Sequence, residues 1–423
     1  MSPETNYKKP RSAGVIGLGY VGLPTAALLA SVGIQTLGVD INVKLLGELD
    51  SGTFTPKEPG LYELLAEARA AGNLQFSDEL TSLDAYIIAV PTPIHEDKTP
   101  GMEFVLSACS AISKVIQPGQ LVILESTSPP GSTSMVSEEI KKLRPDLDVS
   151  GERLDSVKFA YCPERVLPGN ALHEIVNNER LVGGLTQVSA LMAEDLYTHF
   201  TKGKIIKCTD REAEMAKLVE NSFRDVNIAF ANEVARIATT LGVRANKVIE
   251  LANRHPRVNI LSPGVGVGGH CISVDPWFLV DAAPDVTTLI RSARNVNDYQ
   301  PFLLANEVAT YANEIGVKRV FCMGLSYKPN SDDLRESPAV EFVKILGSAL
   351  EGKEIYAFDP MLNNHRDLEL FKNTEVKEYS ETVFTGSDLV LVLVDHDEFR
   401  LRDFGSAMVI LIHGRGQVLN DSI

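Results

Sequence analysis

The feature that most constrains the fold is a glycine motif placed between a strand pattern and a helix pattern. The apolar residues 13–16 run into Gly17-Leu18-Gly19-Tyr20-Val21-Gly22, and a helical pattern follows over residues 24–32. A second strand pattern, residues 35–39, ends in Asp40. Glycines at this spacing allow a tight turn, a close approach of the backbone to a ligand and close helix–strand packing. The sequence therefore predicts an N-terminal doubly wound α/β domain that binds a dinucleotide.

Several residues of this domain are predicted to contact the cofactor. Asp40 would accept hydrogen bonds from both ribose hydroxyls and repel a 2′-phosphate, which favours NAD over NADP, although Lys44 weakens the preference slightly. Two later strand patterns end just before Thr92 and Thr127. Ligands bind beyond the carboxyl ends of parallel strands, so both hydroxyls are candidate contacts, although threonine is also common in ordinary loops. The predicted cofactor residues here are Gly17, Gly19, Tyr20, Val21, Gly22, Asp40, Lys44, Thr92 and Thr127.

A second glycine-rich stretch, residues 263–276, presents a single cysteine. Four glycines within residues 264–269 leave much of this backbone without side chains, and Cys271 follows two residues after the last of them. A thiol at the mouth of a backbone-lined pocket, with the carboxylate of Asp275 close in sequence, is an arrangement suited to covalent catalysis. A surface turn around a buried cysteine is the alternative, and the stretch alone does not decide between the two.

A long helix pattern without proline or glycine covers residues 212–241. Lys217, Asn221 and Arg224 recur on one face of it. Such a polar stripe is usually solvated. The apolar neighbours nevertheless indicate that part of the helix is buried, where a lysine can transfer a proton or stabilise an oxyanion.

Two loops carry charged residues that suit an anionic substrate. Glu164 and Arg165 lie in a loop bounded by proline and glycine, which is either a solvated turn or a site that handles water and an anion. His255 and Arg257 flank a proline just before the thiol stretch and can clamp a phosphate or carboxylate. Because the chain carries a net charge of −16, an anionic ligand needs a local basic pocket of this kind.

The α/β pattern returns after a second helical segment at about residues 295–315. The strand patterns of this region cover residues 319–323, 354–358, 389–394 and 408–412. They predict a second doubly wound domain, which lacks the glycine motif. The loop after its first strand carries Tyr327, Lys328 and Arg335, which suit a phosphorylated ligand. The predicted fold class is α/β, with two Rossmann-like doubly wound domains joined by a central all-helical domain.

Composition excludes several classes of protein. The acidic net charge of −16 argues against a nucleic-acid or anionic-membrane partner. The first residues lack the apolar core of a signal peptide, and no run approaches the roughly 20 apolar residues of a membrane span, so we expect a cytoplasmic protein. The 5 cysteines are an odd number without CxxC spacing, which predicts reduced thiols rather than disulfides or a metal site.

Taken together, these motifs resemble those of the nucleotide-sugar 6-dehydrogenases, the UDP-glucose/GDP-mannose dehydrogenase superfamily, over about residues 12 to 415. The shared motifs, in family order, are the Gly17 to Gly22 turn, Ser126-Thr127, the Lys217 to Asn221 helix, Gly268-Gly269-His270-Cys271 and residues 331–338. Residues 162–169, His255-Pro256-Arg257 and residues 269–278 look most like the branch that oxidises UDP-N-acetyl-D-mannosamine. Val265-Gly266-Val267 departs from that branch, which more often reads Gly-Pro-Gly-Val, without touching the thiol.

The resemblance implies three domains: an NAD-binding Rossmann domain (residues 1–209), a central helical dimerisation domain (210–316) and a UDP-binding Rossmann-like domain (317–423). It implies a homodimer that oxidises C6 of a UDP-N-acetylhexosamine to a carboxylate with two NAD consumed. The implied catalytic residues are Cys271, Lys217, Asn221, Asp275 and Glu164. The implied substrate residues are Arg165, Val166, Lys217, Asn221, Arg224, His255, Arg257, Gly268, Tyr327 and Lys328, while Arg335 would approach the NAD.

Two other functions remain open at this point, and so does the exact sugar. A one-step hydroxyacid or phosphosugar dehydrogenase shares the N-terminal domain and needs no nucleophile. A protein that senses NAD or a nucleotide sugar needs no chemistry at all. UDP-N-acetyl-D-glucosamine, or UDP-glucose, is the alternative substrate, since the two N-acetylhexosamines differ in one stereocentre.

Overall fold

The computed structural model describes residues 7–166, 169–362, 371, 376–378, 384–400 and 402–412. Leu167 and Pro168, which belong to the predicted charged loop, lie outside the described residues. The chain forms two compact units, Met1–Val219 and Glu220–Ile423. Each unit contains one β-sheet.

The first unit contains an eight-stranded sheet with strand order β3-β2-β1-β4-β5-β6-β7-β8. Its strands are β1 (Ser12–Ile16), β2 (Gln35–Val39), β3 (Leu74–Ser77), β4 (Ala85–Ile88), β5 (Leu121–Leu124), β6 (Lys158–Tyr161), β7 (Arg180–Gly184) and β8 (Ile205–Thr209). Its helices are α1 (Gly22–Ser31), α2 (Val43–Ser51), α3 (Leu61–Ala70), α4 (Glu103–Ser113), α5 (Ser132–Leu143), α6 (Ala171–Asn177) and α7 (Gln187–Tyr197). Neighbouring strands run parallel, except that β6 and β7 are antiparallel.

This sheet has an apolar core on both faces. Along β4, Ala85 and Ile87 belong to one hydrophobic cluster, whereas Tyr86 and Ile88 belong to another. Successive side chains of a strand point to opposite faces, so a strand covered on both sides has a continuous apolar sequence. This is the physical reason that the strands could be found from short apolar runs.

The long helix α8 (Asp210–Thr240) crosses the division between the two units. The remaining elements are α9 (Ala245–Ala252), α10 (Asp275–Ala282), α11 (Thr288–Glu314), β9 (Arg319–Met323), α12 (Pro338–Ala349), β10 (Glu354–Phe358), β11 (Val376–Glu378), β12 (Asp388–Val392), α13 (Asp397–Arg400) and β13 (Met408–Leu411). The second sheet is parallel, with strand order β11-β10-β9-β12-β13. Helix α11 contributes Leu304 and Val308 to the same core as Phe342 of α12.

The predicted fold class is confirmed: the chain has two mainly parallel α/β sheets, with a helical segment between them in sequence. The strand patterns at residues 35–39, 319–323 and 354–358 coincide with β2, β9 and β10. Strands β3, β7, β8 and β11 were not predicted, since each contains too short a run of apolar residues.

Candidate active site

The turn between β1 and α1 has a shape that suits a dinucleotide. Gly17 has φ +91°, and a Cβ there would lie 2.6 Å from the carbonyl oxygen of Ala89. A Cβ on Gly22 would lie 1.9 Å from the carbonyl oxygen of Gly17, so both positions require glycine. By contrast, an added Cβ on Gly19 would meet no protein atom within 4 Å, which leaves the backbone open to a ligand there. These residues therefore fit a bound pyrophosphate.

The carboxylate of Asp40 is held beside this turn. Its Oδ2 accepts the backbone N–H of Leu18 at 2.8 Å, and its Oδ1 accepts that of Asn42 at 2.8 Å. The residue is only partly buried, so the carboxylate remains accessible to a ribose. The ammonium of Lys44 lies 3.7 Å from Glu48 on the next turn of α2.

Two hydrogen bonds join the loops after β4 and β5. The hydroxyl of Thr92 donates to the carbonyl oxygen of Thr127 at 2.6 Å, and the hydroxyl of Ser126 donates to that of Val90 at 2.7 Å. The predicted pair of threonines is thus adjacent at the carboxyl end of the sheet. Tyr20, at the start of α1, is 42% exposed. Contact of these residues with NAD stays a prediction.

The loop after β6 is not a solvated turn at Glu164. The side chain of Glu164 is 8% exposed, and its Oε2 accepts a hydrogen bond from Nη2 of Arg180 at 2.6 Å. The guanidinium of Arg165 donates to the carbonyl oxygen of Glu179. Val166 packs against the core of the unit.

The buried side chains that surround Glu164 were not predicted from the sequence. The side chain of Glu125, which follows β5, is fully buried, and its Oε1 accepts a hydrogen bond from the hydroxyl of Tyr197 at 2.7 Å. Arg180 is 4% exposed and lies between the two glutamates. The signal available in the sequence was an acid, Glu125, directly after one apolar strand, and a base, Arg180, at the start of another.

The polar stripe of α8 passes from the interior to the surface. Lys217 is 8% exposed, Asn221 is half-buried and Arg224 is exposed. One turn before Lys217, the buried carboxylate of Glu214 accepts the backbone N–H groups of Gly131 and Thr133 at 2.5 and 2.7 Å. Glu214 therefore anchors the first turns of α8 to the start of α5.

Cys271 differs from the other cysteines in its exposure. Cys271 is exposed, whereas Cys109, Cys162 and Cys322 are buried and Cys208 is half-buried. Burial raises the pKa of each of these four thiols, to about 12 for Cys109. Because the thiolate is the reactive form, Cys271 is the cysteine best placed to act as a nucleophile.

Asp275 and Asn221 meet next to the thiol segment. Asp275 begins α10, is 2% exposed, and its Oδ2 accepts a hydrogen bond from the side-chain amide of Asn221 at 2.5 Å. The backbone N–H of Asp275 donates to the carbonyl oxygen of Cys271 at 2.8 Å. The amide of Asn221 is thus joined to a carboxylate that lies one turn after Cys271 in the second unit.

The glycines before the thiol lie directly against the loop that follows β9. A Cβ on Gly268 would lie 2.2 Å from the carbonyl oxygen of Glu336, and one on Gly269 would lie 2.8 Å from the ring of Tyr327. The ammonium of Lys328 lies 5.7 Å from the centre of the Tyr327 ring. Gly269 therefore packs the thiol segment against Tyr327, one of the predicted substrate residues.

Arg335 lies in the same loop and pairs with a neighbouring acid. Its Nη2 lies 2.6 Å from Oδ2 of Asp333, and this hydrogen bond raises the pKa of the guanidinium above its ordinary value. The side chain is 64% exposed. His255 and Arg257, in the turn after α9, are exposed as well, and the backbone N–H of Arg257 donates to Nδ1 of His255 at 3.3 Å.

The described part of the chain has neither a candidate metal cluster nor a candidate membrane-spanning helix. No cluster of three or more His, Cys, Asp or Glu side chains there could hold a metal ion. No helix in that part combines the length and apolar character needed to span a bilayer.

Three models of one family match the chain in succession. The UDP-glucose/GDP-mannose dehydrogenase family's NAD binding domain matches residues 11–201, its central domain matches residues 211–299, and its UDP binding domain matches residues 321–421. The second of these matches contains Lys217, Asn221, Cys271 and Asp275.

Individual proteins are similar over nearly the full length. UDP-N-acetyl-D-mannosamine dehydrogenase of Escherichia coli K12 is 45% identical over 399 residues, covering 92% of this chain and 94% of that protein. NDP-N-acetyl-D-galactosaminuronic acid dehydrogenase of Ralstonia nicotianae is 44% identical over 414 residues, covering 93% and 92%. The structure of UDP-D-ManNAc dehydrogenase from Pyrococcus horikoshii matches with a TM-score of 0.81 at 35% identity, covering 96% of this chain and 95% of that one. The chain therefore belongs to the UDP-glucose/GDP-mannose dehydrogenase family and is an NAD-dependent UDP-sugar 6-dehydrogenase.

Proposed function

We propose that this enzyme carries out the four-electron oxidation of UDP-N-acetyl-D-mannosamine at C6, giving UDP-N-acetyl-D-mannosaminuronate through a thioester on Cys271. The observation that carries the covalent step is the exposure of Cys271, since burial raises the pKa of the other four thiols. The sugar is taken from the 45% identical relative that bears the name of this activity.

The bonds change as follows. Bound NAD would supply the hydride acceptor for each of the two oxidations at C6. The first oxidation turns the primary alcohol into an aldehyde, with loss of the hydroxyl proton. The Cys271 thiolate then adds to the aldehyde carbon, because an aldehyde offers no alkoxide from which a second hydride can leave. Oxidation of the resulting thiohemiacetal gives a thioester, and water cleaves it to the carboxylate and the free thiol.

Four side chains are assigned to proton transfer and charge stabilisation. Lys217 stabilises the oxyanion at C6 or exchanges a proton with it, and Asn221 acts as a neutral donor. Asp275 and Glu164 orient or deprotonate the water that cleaves the thioester. The hydrogen bond from Asn221 to Asp275 supports a shared role for these two residues.

The remaining predicted site residues are assigned to binding. We propose that the UDP-sugar is bound by Arg165, Val166, Lys217, Asn221, Arg224, His255, Arg257, Gly268, Tyr327 and Lys328, and that Arg335 approaches the NAD. The close packing of Gly269 on the ring of Tyr327 supports a site shared by the thiol segment and the loop after β9.

The covalent route is tested by replacing the thiol. Cys271→Ala is expected to abolish conversion to the uronate, while the wild-type enzyme releases two NADH per sugar. Cys208→Ala, which removes a half-buried thiol, is the matched control and retains turnover. Undiminished turnover in Cys271→Ala, or one NADH per sugar in the wild type, contradicts the thioester and fits a one-step dehydrogenase.

The sugar is tested on a panel of nucleotide sugars. We expect the highest kcat/KM for UDP-N-acetyl-D-mannosamine among UDP-N-acetyl-D-mannosamine, UDP-N-acetyl-D-glucosamine, UDP-N-acetyl-D-galactosamine and UDP-glucose. The galactosamine compound is included because a 44% identical relative is named for an N-acetylgalactosaminuronic acid. UDP-N-acetyl-D-glucosamine, or UDP-glucose, is the alternative substrate. A higher kcat/KM for any of the other three overturns the choice of sugar.

We also propose a homodimer, formed through the central helical domain of residues 210–316, which lies between an NAD-binding domain (1–209) and a UDP-binding domain (317–423). Helix α8 carries large apolar side chains on one exposed face. Phe223, Phe230 and Ile237 recur at seven-residue spacing and are 68%, 54% and 51% exposed, and Leu241, directly after the helix, is 69% exposed. An exposed apolar stripe of this kind marks a protein–protein contact.

The dimer is tested by placing a charge in this stripe. Phe230→Glu is expected to give a monomer in analytical ultracentrifugation. Phe104→Glu makes the same change on α4, in the NAD-binding domain, at a side chain that is 44% exposed, and is expected to remain dimeric. A wild-type protein that sediments as a monomer contradicts the proposal.

A further inference from the structure

The cluster around Arg180 joins two glutamates through one guanidinium. Nη2 of Arg180 donates to Oε2 of Glu164 at 2.6 Å, and Nη1 lies 3.6 Å from Oε1 of Glu125. The three side chains are 3%, 8% and 0% exposed, in the order Arg180, Glu164, Glu125. The cluster is thus almost completely removed from water.

Two aromatic rings also lie close to Arg180. Its guanidinium lies 4.4 Å from the centre of the Tyr197 ring and 5.8 Å from that of Phe200, within the range of cation–π attraction. The hydroxyl of Tyr197 in turn donates to Glu125 at 2.7 Å. Tyr197 therefore contacts both Arg180 and the second glutamate.

The members of the cluster differ in the kind of backbone that carries them. Arg180 is the first residue of β7, Tyr197 is the last residue of α7, and Glu125 directly follows β5. Glu164 lies on a loop without regular structure. A reactive group on a loop needs rigid neighbours to hold it in one geometry. One residue on a strand, one on a helix and one directly after a strand thus support the one residue to which we assign chemistry.

The cluster is not arranged for stability alone. Burial raises the pKa of Glu125 to about 7, Arg180 opposes this rise, and the charge of Glu164 adds to it. Nε and Nη1 of Arg180 form no hydrogen bond with the described residues. A second buried carboxylate, and two guanidinium nitrogens that make no hydrogen bond with the described residues, raise the free-energy cost of burying this ion pair. Such arrangements are concentrated at functional sites.

We propose that Arg180 is a positioning residue for thioester hydrolysis: it holds the Glu164 carboxylate in its reactive position, while Glu125 and Tyr197 hold Arg180. The inference rests on the role of Glu164 in the proposed function. Arg180 itself touches neither substrate nor cofactor in this scheme and acts only through Glu164.

The test is a double-mutant cycle between Arg180 and Glu164, read in single-turnover release of the uronate. Arg180→Lys is expected to slow hydrolysis roughly tenfold or more, as for other supporting residues. The same change in a Glu164→Gln background is expected to cause no further loss, because Arg180 then has no carboxylate to position. KM for the UDP-sugar is expected to change less than twofold, since binding is not altered.

Arg294→Lys is the matched control. Arg294 is also fully buried between two carboxylates, those of Asp225 and Asp298, in the other unit. Any effect of Arg294→Lys on hydrolysis is expected to be the same in the wild-type and Glu164→Gln backgrounds. If Arg180→Lys gives equal losses in both backgrounds, Arg180 has a structural role only and the inference is overturned.

Tyr197→Phe covers the case in which Arg180→Lys does not fold. It keeps the ring and removes the hydroxyl that reaches Glu125, so the protein is expected to fold normally. Hydrolysis is expected to slow in the wild-type background and not in Glu164→Gln; equal effects in both overturn the inference. If Glu164→Gln hydrolyses the thioester at the wild-type rate, Glu164 has no catalytic role and the inference fails with it. If Glu164→Gln is slow but the effects of Arg180→Lys and Tyr197→Phe are the same in both backgrounds, the inference alone is overturned.

Discussion

The same kind of turn follows β1 in the first sheet and β9 in the second, but its role differs between the two. In the first unit, the N–H of Gly17 donates to the carbonyl oxygen of Val39 at 2.8 Å, and that of Leu18 donates to Oδ2 of Asp40 at 2.8 Å. In the second unit, the N–H of Gly324 donates to the carbonyl oxygen of Phe358 at 2.7 Å, and that of Leu325 donates to Oδ2 of Asp359 at 2.7 Å. The central strand orders, β3-β2-β1-β4-β5 and β11-β10-β9-β12-β13, are equivalent.

The two turns differ in what surrounds the acid. Asp40 is partly exposed, whereas Asp359 is 4% exposed and also accepts the N–H groups of Ser326 and Met361 at 2.9 Å each. Nε2 of His396 lies 3.1 Å from Asp359 as well. An acid whose oxygens are already satisfied by the protein has little capacity left for a ribose.

The connection to the next helix differs as well. Helix α1 begins at Gly22, directly after the first turn, whereas α12 begins at Pro338, after the loop that carries Tyr327 and Lys328. One strand–turn–strand unit thus serves either as a ligand site or as a structural base for a longer loop. The protein groups around the acid determine which of the two roles it has.

The largest expected effect is the loss of stability when either turn glycine is replaced. Gly17 and Gly324 have φ +91° and +88°, and an added Cβ would lie 2.6 Å from Ala89 and 2.7 Å from Val394. Gly17→Ala and Gly324→Ala are each expected to lower the free energy of unfolding by about 3 kcal/mol in urea titrations. Gly33→Ala is the control: φ is +87° but no atom lies within 4 Å, so a loss of about 1 kcal/mol is expected. Equal losses in Gly324→Ala and Gly33→Ala contradict the equivalence of the turns.

The next effect separates the two acids. Asp359→Ala leaves buried N–H groups unpaired and is expected to cost about 2 kcal/mol of stability without changing NAD affinity. Asp40→Ala is expected to raise the Kd for NAD about tenfold or more, through the loss of charged hydrogen bonds to the ribose, with a smaller cost in stability. Urea titration and calorimetry measure the two quantities. Comparable NAD affinities in the two variants would mean that the exposure of Asp40 has no functional meaning.

A smaller effect is expected at His396, which supports the loop after β9. Nδ1 of His396 accepts the N–H of Asn330 at 3.1 Å, and Nε2 lies 3.1 Å from the hydroxyl of Ser326. His396→Gln is expected to weaken UDP binding about fivefold, the equivalent of one hydrogen bond, and to leave NAD binding unchanged. The exposed His199 provides the control variant, His199→Gln. Equal losses of UDP and NAD affinity would indicate general destabilisation instead.

The smallest effect concerns acid stability. Burial opposes ionisation of Asp359, but hydrogen bonds from His396 and from backbone N–H groups outweigh it and lower the pKa of the carboxyl. A carboxyl with a lowered folded-state pKa stabilises the protein above its unfolded pKa of about 4, and this stabilisation is lost as pH falls through the folded-state value. The free energy of unfolding is therefore expected to fall below about pH 4 less steeply in Asp359→Ala than in the wild type. Parallel pH profiles contradict this assignment.

Much of the fold could be predicted because its signals are local. Fully covered parallel strands are short apolar runs, and the turn before α1 requires glycine at Gly17 and Gly22. Helix α8 was found from an uninterrupted amphipathic pattern. Strands β7 and β8 were missed because each has only two consecutive apolar residues, which glycines follow in β7 and a lysine follows in β8.

The amino-acid pattern alone predicts the two α/β sheets, the cofactor turn, and the one cysteine that follows a run of glycines. The folded chain was needed to show that Glu164 faces Arg180, that Glu125 shares the same guanidinium, and that Asn221 bonds to Asp275. The physical reason is the range of the interactions. Strands, helices and turns follow from neighbours in the chain, whereas buried charges and amides find partners on segments that only folding brings together.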